Sequence, residues 1–172
     1  MARRRAALDK LEEDSTVLFL CHGNIYRSPF AERYARQQLE TREIDGITVE
    51  SAGLRNQPYL RSPSNARTAA SQQGVDLVDN YSTQANAELI EWADLIFLMD
   101  YRNYHDFTTR FPDAADRMFL LGIFDDHEEV PIGDLYRDTP KAFRASYERI
   151  VSSVDGLLDA FETRLKNTAR TV

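Results

Sequence analysis

Residues 16–29, with the sequence TVLFLCHGNIYRSP, decide the fold class. The first five form a nearly continuous apolar run, which is typical of a strand buried on both faces. Pro29 suits the first turn of a helix, where the N–H that proline lacks would have no partner. The stretch therefore predicts a strand, a loop and a helix in that order, with Cys21 at the end of the strand.

The rest of the chain continues this alternation of strands and helices. The helix near Pro29 is expected to continue to about Arg42, and apolar residues at spacings of three and four from Phe143 to Leu165 predict a long final helix. Further strands are expected at residues 47–49, 94–99 and 118–121, and further helices at residues 66–70 and 85–92. The order predicts a three-layer α/β fold, a parallel sheet with helices on both faces, whose ligands bind beyond the carboxyl ends of the strands.

Composition excludes several classes of protein. The chain has 172 residues, 42% of them hydrophobic, which suits one ordinary globular domain. Its net charge of −7 disfavours nucleic acid and anionic membranes as partners. The single cysteine, Cys21, rules out an intramolecular disulfide and a cysteine-based zinc site. No apolar run approaches the length of a membrane span, so a cytoplasmic protein is expected.

The chain is expected to divide into three parts. Residues 1–15 are predicted to form an N-terminal arm or a short helix, residues 16–166 a single domain, and residues 167–172 a C-terminal tail. The arginines at positions 3–5 could contact an acidic partner, but solvated side chains are the expectation for a short terminal charge cluster.

The loop after the first strand has the features of an oxyanion site. Backbone N–H groups at a helix N-terminus attract negative charge. Arg27 can hold two oxygens of a phosphate-like group through its planar fork, and Gly23 would allow close approach of the backbone. The same environment, with a hydroxyl hydrogen bond from Ser28, favours the thiolate of Cys21. A thiolate that faces phosphorus is a nucleophile.

Magnitudes indicate which of these effects matters for catalysis. Complete ionisation of an ordinary thiol gains roughly thirtyfold at neutral pH, but the lost nucleophilicity of a weaker base cancels most of that gain. Loss of one donor aimed at the transferring group typically costs about 3 to 4 kcal/mol. The loop is therefore expected to act chiefly by binding phosphoryl oxygens. A purely structural role for Cys21 and Arg27 is the alternative, and the surrounding strand, Asn24 and Ser28 disfavour it.

Residues 17–32, VLFLCHGNIYRSPFAE, resemble the signature of the low-molecular-weight protein tyrosine phosphatases. Shorter supporting matches follow in the family's order at residues 51–53, 93–96, 99–103 and 120–122. The resemblance implies a four-stranded parallel sheet and a two-step hydrolysis of phosphotyrosine through a cysteinyl-phosphate, with neither a metal nor an organic cofactor. It implies a phosphotyrosine-containing protein as substrate and inorganic phosphate as product or inhibitor.

The resemblance also assigns roles to residues by position. Cys21 would be the nucleophile, Arg27 the phosphate clamp and Asp134 the general acid and then the base. Ser28 would stabilise the thiolate, and Asn24 would hold the loop in shape together with Ser51. The remaining substrate-binding positions would be His22, Gly23, Ile25, Tyr26 and, as an aromatic wall, Tyr136.

Several positions depart from the family pattern. Leu135 replaces the usual proline after the acid, and Asp138 remains an alternative acid. Tyr26 stands where many members carry a second cysteine, so Cys21 would lack a disulfide partner when oxidised. Gln57 replaces an aromatic of the cleft, and Tyr59 and Tyr104 are the candidates to supply that wall instead. Asn80 replaces a histidine that often supports the loop.

Other functions and sites remain open. The same fold hosts arsenate reductases, which here would need an external thiol, and a phosphate or phosphotyrosine binding module without turnover is a third possibility. The acidic residues 125–129 could be considered a metal site, but a solvated acidic loop is expected because adjacent side chains do not converge on one ion. A solvent-facing side chain is expected for His22.

Overall fold

The computed structural model describes residues 2–12, 14–134 and 140–169. Its strands, in chain order, are β1 (Ser15–Cys21), β2 (Ile47–Gly53), β3 (Leu95–Leu98) and β4 (Met118–Leu120). Its helices are α1 (Ala2–Leu8), α2 (Arg27–Thr41), α3 (Ser64–Ser71), α4 (Ala87–Trp92), α5 (Tyr101–Arg110) and α6 (Pro140–Ala169). Two short 3-10 helices, Pro112–Arg117 and Leu121–Phe124, flank β4.

The four strands form one sheet in the order β2-β1-β3-β4, and every pair is parallel. The predicted α/β class with a four-stranded parallel sheet is therefore confirmed. The chain leaves β1 for β2 on one side, whereas β3 pairs with β1 on the other. The carboxyl end of β1 is thus the point where the strand order reverses, which is where ligands bind in open sheets of this kind. Cys21 is the last residue of β1.

Apolar side chains cover both faces of the sheet, as a parallel sheet requires. One core cluster joins the sheet to α1, α2, α3 and α6, and the other joins it to α4 and α5. Alternate residues of β1 serve the two faces, with Phe19 in the first cluster and Leu18 in the second. The loops at the carboxyl edge therefore rest on a scaffold packed from both sides.

Two elements differ from the prediction by sequence. β2 continues to Gly53, because its last residues keep the register with β1 and pair Ser51 with Phe19 and Gly53 with Cys21. The helix α5 was missed. At the N-terminus, Ala7 of α1 is fully buried in the core, while Arg3 and Arg5 are exposed.

The helix α6 continues through Ala169, and the division predicted at residue 166 stays a prediction. No helix among the residues with described positions is long and apolar enough to cross a bilayer.

Candidate active site

The loop between β1 and α2 is enclosed by the protein. Cys21 is 2% exposed, Asn24 2% and Arg27 1%. Polar and charged groups with so little contact to water must find partners within the protein or in a ligand. The arrangement of these partners therefore shows what the loop is built to hold.

Two donors surround the sulfur of Cys21. The backbone N–H of Asn24 donates to Sγ at 3.2 Å, and the hydroxyl of Ser28 lies 3.0 Å from Sγ. Ser28 belongs to the first turn of α2, so the positive end of the helix also faces the sulfur. The predicted contact between Ser28 and the sulfur of Cys21 is therefore present.

Asn24 is the structural centre of the loop. Its φ of 50° lies in the left-handed region, which asparagine tolerates better than most residues. Its side-chain amide donates to Ser28 Oγ at 3.0 Å and to Ser51 Oγ at 2.9 Å, and its Oδ1 accepts the N–H of Thr83 at 2.8 Å. Both amide protons and the carbonyl oxygen are thus used, which no apolar side chain could reproduce.

A chain of hydrogen bonds fixes the direction of the Ser28 hydroxyl. Ser51 donates its proton to Glu32 Oε2 at 2.6 Å and accepts one from Asn24. Asn24 also donates to Ser28 Oγ, so Ser28 keeps its own proton for another acceptor. The two acceptors within reach are Cys21 Sγ at 3.0 Å and the carbonyl of Ala52 at 3.3 Å. The sulfur is the nearer of these two acceptors.

Glu32 is the distant end of this chain. Burial raises the pKa of its carboxyl group above the ordinary value, and the hydrogen bond from Ser51 acts in the opposite direction. Glu32 also pairs with Arg36 one turn further along α2, at 2.8 Å. Sequence reasoning assigned no role to Glu32, because only the folded sheet brings Ser51 beside it.

Asn80 supports the loop from outside. Its amide donates to the carbonyl of Asn24 at 3.1 Å and to Ser62 Oγ at 3.0 Å. The replacement of a histidine at this position therefore leaves the loop supported by a different donor.

The glycine with the closest approach to the loop is Gly53 rather than Gly23. A Cβ at Gly53 would lie 2.9 Å from the carbonyl carbon of Gly23 and 3.0 Å from the nitrogen of Asn24, both backbone atoms. A Cβ at Gly23 would meet only the side chain of Ile25, at 3.4 Å. The end of β2 is therefore pressed against the loop.

Arg27 is held in place by three oxygen acceptors. Nη1 contacts Asp100 Oδ2 at 2.6 Å and the carbonyl of Ile132 at 3.0 Å, and Nη2 lies 3.1 Å from Asp134 Oδ2. The buried Nε finds no hydrogen-bond partner in residues 2–12, 14–134 or 140–169. This leaves one charged donor unused beside the sulfur-bearing loop.

Electrostatics keep this guanidinium charged. Burial alone would lower the pKa of Arg27, but the negative charges of Cys21, Tyr26, Asp134 and Asp100 in their ionised forms outweigh it and raise the pKa. The Coulomb effect of Cys21 is the largest of these charge effects, so the sulfur and the guanidinium are electrostatic neighbours. A buried cation and a buried sulfur thus share one pocket.

Asp134 reaches the same place from the other end of the chain. Its Oδ1 accepts the phenol proton of Tyr26 at 2.7 Å, while its Oδ2 faces Arg27. The structure therefore brings Cys21, Arg27 and Asp134 together. Tyr136 and the alternative acid Asp138 lie outside the described residues, so their assigned roles stay predictions.

His22 is half-buried, and the two aromatic candidates differ in exposure. The Nδ1 of His22 is buried with no hydrogen-bond partner among the described parts of the chain, so the ring does not simply face solvent as expected. Burial, followed by the charge of Arg102, lowers the pKa of His22. Tyr59 is 81% exposed, whereas Tyr104 packs against the core, so only Tyr59 is available as an exposed wall.

The acidic residues 125–129 serve the loop that carries Asp134. Asp125 accepts from Arg149 at 2.9 Å and from Ser153 at 3.0 Å, and Arg149 also donates to the carbonyl of Pro131 at 2.7 Å. Asp125 thus anchors this segment to α6 by an ion pair.

The sequence matches a known protein family over most of its length. The family model described as low molecular weight phosphotyrosine protein phosphatase matches residues 16–170. A probable low molecular weight protein-tyrosine-phosphatase, EpsP of Ralstonia nicotianae, is 32% identical, with 81% of this chain and 91% of the relative covered.

Two solved structures are also similar. The YwlE arginine phosphatase from Geobacillus stearothermophilus has a TM-score of 0.78 at 25% identity and covers 89% of this chain and 96% of its own. Wzb of Vibrio vulnificus, solved in complex with benzylphosphonate, has a TM-score of 0.72 at 27% identity, with coverages of 83% and 96%.

Proposed function

Because the chain belongs to the low molecular weight phosphotyrosine protein phosphatase family, we propose that it hydrolyses phosphotyrosine in proteins through a cysteinyl-phosphate on Cys21. The observation that carries the proposal is the pairing of a buried sulfur with a buried guanidinium. Sγ accepts an N–H of the loop at 3.2 Å, and Arg27 keeps its Nε–H without a partner in the described chain. A tetrahedral dianion beside the sulfur would satisfy the unused Nε–H of Arg27.

In the first step, Sγ of Cys21 attacks phosphorus. A sulfur–phosphorus bond forms, and the bond between phosphorus and the tyrosine oxygen breaks. The electron pair of that bond leaves on the phenolic oxygen, which takes a proton from Asp134. Asp134 is placed for this transfer because its carboxyl group faces Arg27, the group that would hold the phosphoryl oxygens.

In the second step, water attacks the cysteinyl-phosphate. The carboxylate of Asp134 takes a proton from the water as the new oxygen–phosphorus bond forms. The sulfur–phosphorus bond breaks and the sulfur leaves as a thiolate, which the hydroxyl of Ser28 stabilises. Inorganic phosphate is then released, and no metal or organic cofactor takes part in either step.

Arg27 would provide most of the rate acceleration by binding the oxygens of the transferring phosphoryl group. Its fork is fixed by Asp100 before any substrate arrives, so little reorganisation is needed in the transition state. A lysine would supply the charge without the fork. We therefore expect Arg27→Lys to lose about 10²-fold or more in kcat/KM, whereas Arg36→Lys, on the exposed side of the same helix, should retain activity.

The relatives leave two classes of substrate to compare. EpsP is named a tyrosine phosphatase and YwlE an arginine phosphatase. The benzylphosphonate bound by Wzb resembles an aryl phosphate in shape, and the apolar Ile25 and the exposed Tyr59 suit an aromatic leaving group. We favour a phosphotyrosine protein of the cytoplasm as the substrate.

Steady-state turnover of matched peptides tests the proposal. Phosphotyrosine, phosphoserine and phosphoarginine peptides of one sequence would be compared, with Cys21→Ser as the control. The proposal expects phosphotyrosine to be preferred and Cys21→Ser to be inactive while it remains folded. Preference for the phosphoarginine peptide would contradict the proposal and indicate an arginine phosphatase like YwlE. Binding of the phosphotyrosine peptide without hydrolysis would indicate a binding module.

A further inference from the structure

We infer that Tyr26 is a positioning residue that holds Asp134 by one carboxyl oxygen and leaves the other oxygen for proton transfer. The inference rests on the proposed function, since it requires Asp134 to act as the general acid. The resemblance counted Tyr26 among the substrate-binding positions of the loop, but it gave the phenol hydroxyl no role toward Asp134.

The two oxygens of Asp134 face different groups. Oδ1 accepts the phenol proton of Tyr26 at 2.7 Å, a short bond of the kind made to a charged or strongly polar acceptor. Oδ2 lies 3.1 Å from Nη2 of Arg27. Because Arg27 is the proposed phosphate clamp, Oδ2 is the oxygen on the side of the phosphoryl group.

This arrangement assigns the proton transfer to Oδ2. Tyr26 holds Oδ1, whereas Oδ2 lies on the side of the phosphoryl group. In the first step the Oδ2 proton passes to the leaving oxygen as the phosphorus–oxygen bond breaks. In the second step Oδ2 takes a proton from the attacking water. Tyr26 keeps its own proton throughout.

The ring of Tyr26 is held firmly enough for this role. It is 3% exposed and packs edge-on against Phe143 and Tyr147 of α6, with centroids 5.1 and 6.3 Å away. The guanidinium carbon of Arg27 lies 5.4 Å from the ring centroid on another side. Because the core holds the ring in place, the hydrogen bond from its phenol fixes the position of the Asp134 carboxyl group.

The backbone near Asp134 is anchored at a different point. Ile132 donates its N–H to the carbonyl of Met99 at 2.7 Å, and its carbonyl accepts from Arg27. These bonds fix the backbone two residues before Asp134 and do not involve its side chain. The next residue in sequence is Leu135 rather than a ring-constrained proline. A side-chain bond from Tyr26 supplies orientation that these backbone contacts do not.

Tyr26→Phe tests the inference, because it keeps the ring and removes only the hydroxyl. The measurement is kcat/KM, which reports the first step, for phenyl phosphate and for 4-nitrophenyl phosphate. The first substrate needs a proton for its leaving group, and the second leaves readily without one. We expect about a tenfold loss for phenyl phosphate and less than about a twofold loss for 4-nitrophenyl phosphate.

Tyr34→Phe is the matched control. Tyr34 lies on α2 and donates to Asp155 at 3.0 Å, so the variant removes a similar bond away from the site. Its ratio of rates for the two substrates should equal that of the unchanged protein. Because the ratio is measured within one sample, partial unfolding of a variant lowers both rates and leaves the ratio unaffected.

A double variant separates this inference from the proposed function. In an Asp134→Asn background, Tyr26→Phe should produce no further change in the ratio, because Tyr26 acts through Asp134. The inference would be overturned if Tyr26→Phe lowered kcat/KM equally for both substrates. It would also be overturned if Tyr26→Phe caused the same selective loss of kcat/KM in the Asp134→Asn background. If Asp134→Asn itself leaves the ratio unchanged, the proposed acid is wrong and the failure lies with the proposed function.

Discussion

Arg27 and Asp100 form a buried ion pair at the carboxyl edge of the sheet, with 2.6 Å between Nη1 and Oδ2 and 1% of the Arg27 side chain exposed. Asp100 follows β3 and also accepts the N–H of Asn103 at 2.7 Å through Oδ1, which caps the N-terminus of α5. One carboxylate therefore caps a helix and orients the guanidinium of Arg27.

Asp100→Asn separates these two tasks. Asparagine is also a good helix cap, but it removes the charge that compensates Arg27. Loss of one partner of a buried ion pair typically costs about 3 to 5 kcal/mol, and because Asp134 still faces Arg27 we expect a loss near the lower end of this range. Urea unfolding of both proteins measures the change.

Asp116→Asn is the control for this loss. Asp116 pairs with Lys10 at 2.9 Å, but its side chain is 70% exposed. Exposed pairs contribute about 1 kcal/mol or less, so this variant should unfold almost as the unchanged protein does. If both variants lost the same free energy of unfolding, burial of Arg27 would not be the reason for the loss in Asp100→Asn.

Asn24 combines a strained backbone with a side chain whose donors and acceptor are all used. Asn24→Gly and Asn24→Ala both remove the bonds to Ser28, Ser51 and Thr83, but only alanine keeps the penalty for a φ of 50°. Both variants should be destabilised, and the glycine variant should be the more stable by about 1 kcal/mol. Thermal or urea unfolding compares them; greater stability of the alanine variant would show that the loop abandons this conformation.

Gly53→Ala should disturb the loop through its backbone. The added Cβ would lie 3.0 Å from the nitrogen of Asn24, the group that donates to the sulfur of Cys21. Overpacking of this kind costs about 1 to 3 kcal/mol, and turnover of an aryl phosphate should also fall. Gly23→Ala, whose Cβ meets only a side chain, should lose less stability. The reverse order of stability would refute the close approach of β2.

Glu32 makes stability depend on pH. Its pKa is raised in the folded protein by burial, so the folded state binds a proton at pH values where the unfolded chain has lost it. Below the pKa of about 4.3 that glutamate has in the unfolded chain, burial of the protonated carboxyl group carries no charge penalty. The free energy of unfolding falls as pH rises from there through the raised pKa of the folded state. Relative to Glu32→Gln, the unchanged protein should therefore lose free energy of unfolding with rising pH and then level off. Urea unfolding across this interval checks the sign, and a difference that grows in the opposite direction would contradict it.

The closeness of Cys21, Arg27 and Ser28 could be predicted because it is local. The three residues are close in sequence, and a strand followed by a helix places them together wherever the rest of the chain goes. Asp134 was predicted only through the resemblance, because no periodicity links it to its partner Tyr26, 108 positions earlier. The fold class followed from apolar runs that a parallel sheet requires.

The resemblance pointed to Asn24, Ser51 and Asn80 as loop support, but the contacts of Glu32 and Asp100 could not be predicted. Glu32 and Asp100 are common polar residues whose partners become neighbours only when the sheet forms. The helix α5 was missed because only Asn103 and Phe107 of its residues are buried, so it has no apolar repeat. Its one usable signal was Asp100 in the position of a helix cap.

Direct detection of a phosphorylated sulfur tests the central claim most simply. Unchanged protein and Asp134→Asn would be mixed with 4-nitrophenyl phosphate carrying radioactive phosphorus, stopped in denaturant during turnover, and cleaved into peptides. The account predicts label on the peptide that contains Cys21, more of it in Asp134→Asn because the second step lacks its base, and none in Cys21→Ser. Label on another residue, or turnover without label in both proteins, would contradict it.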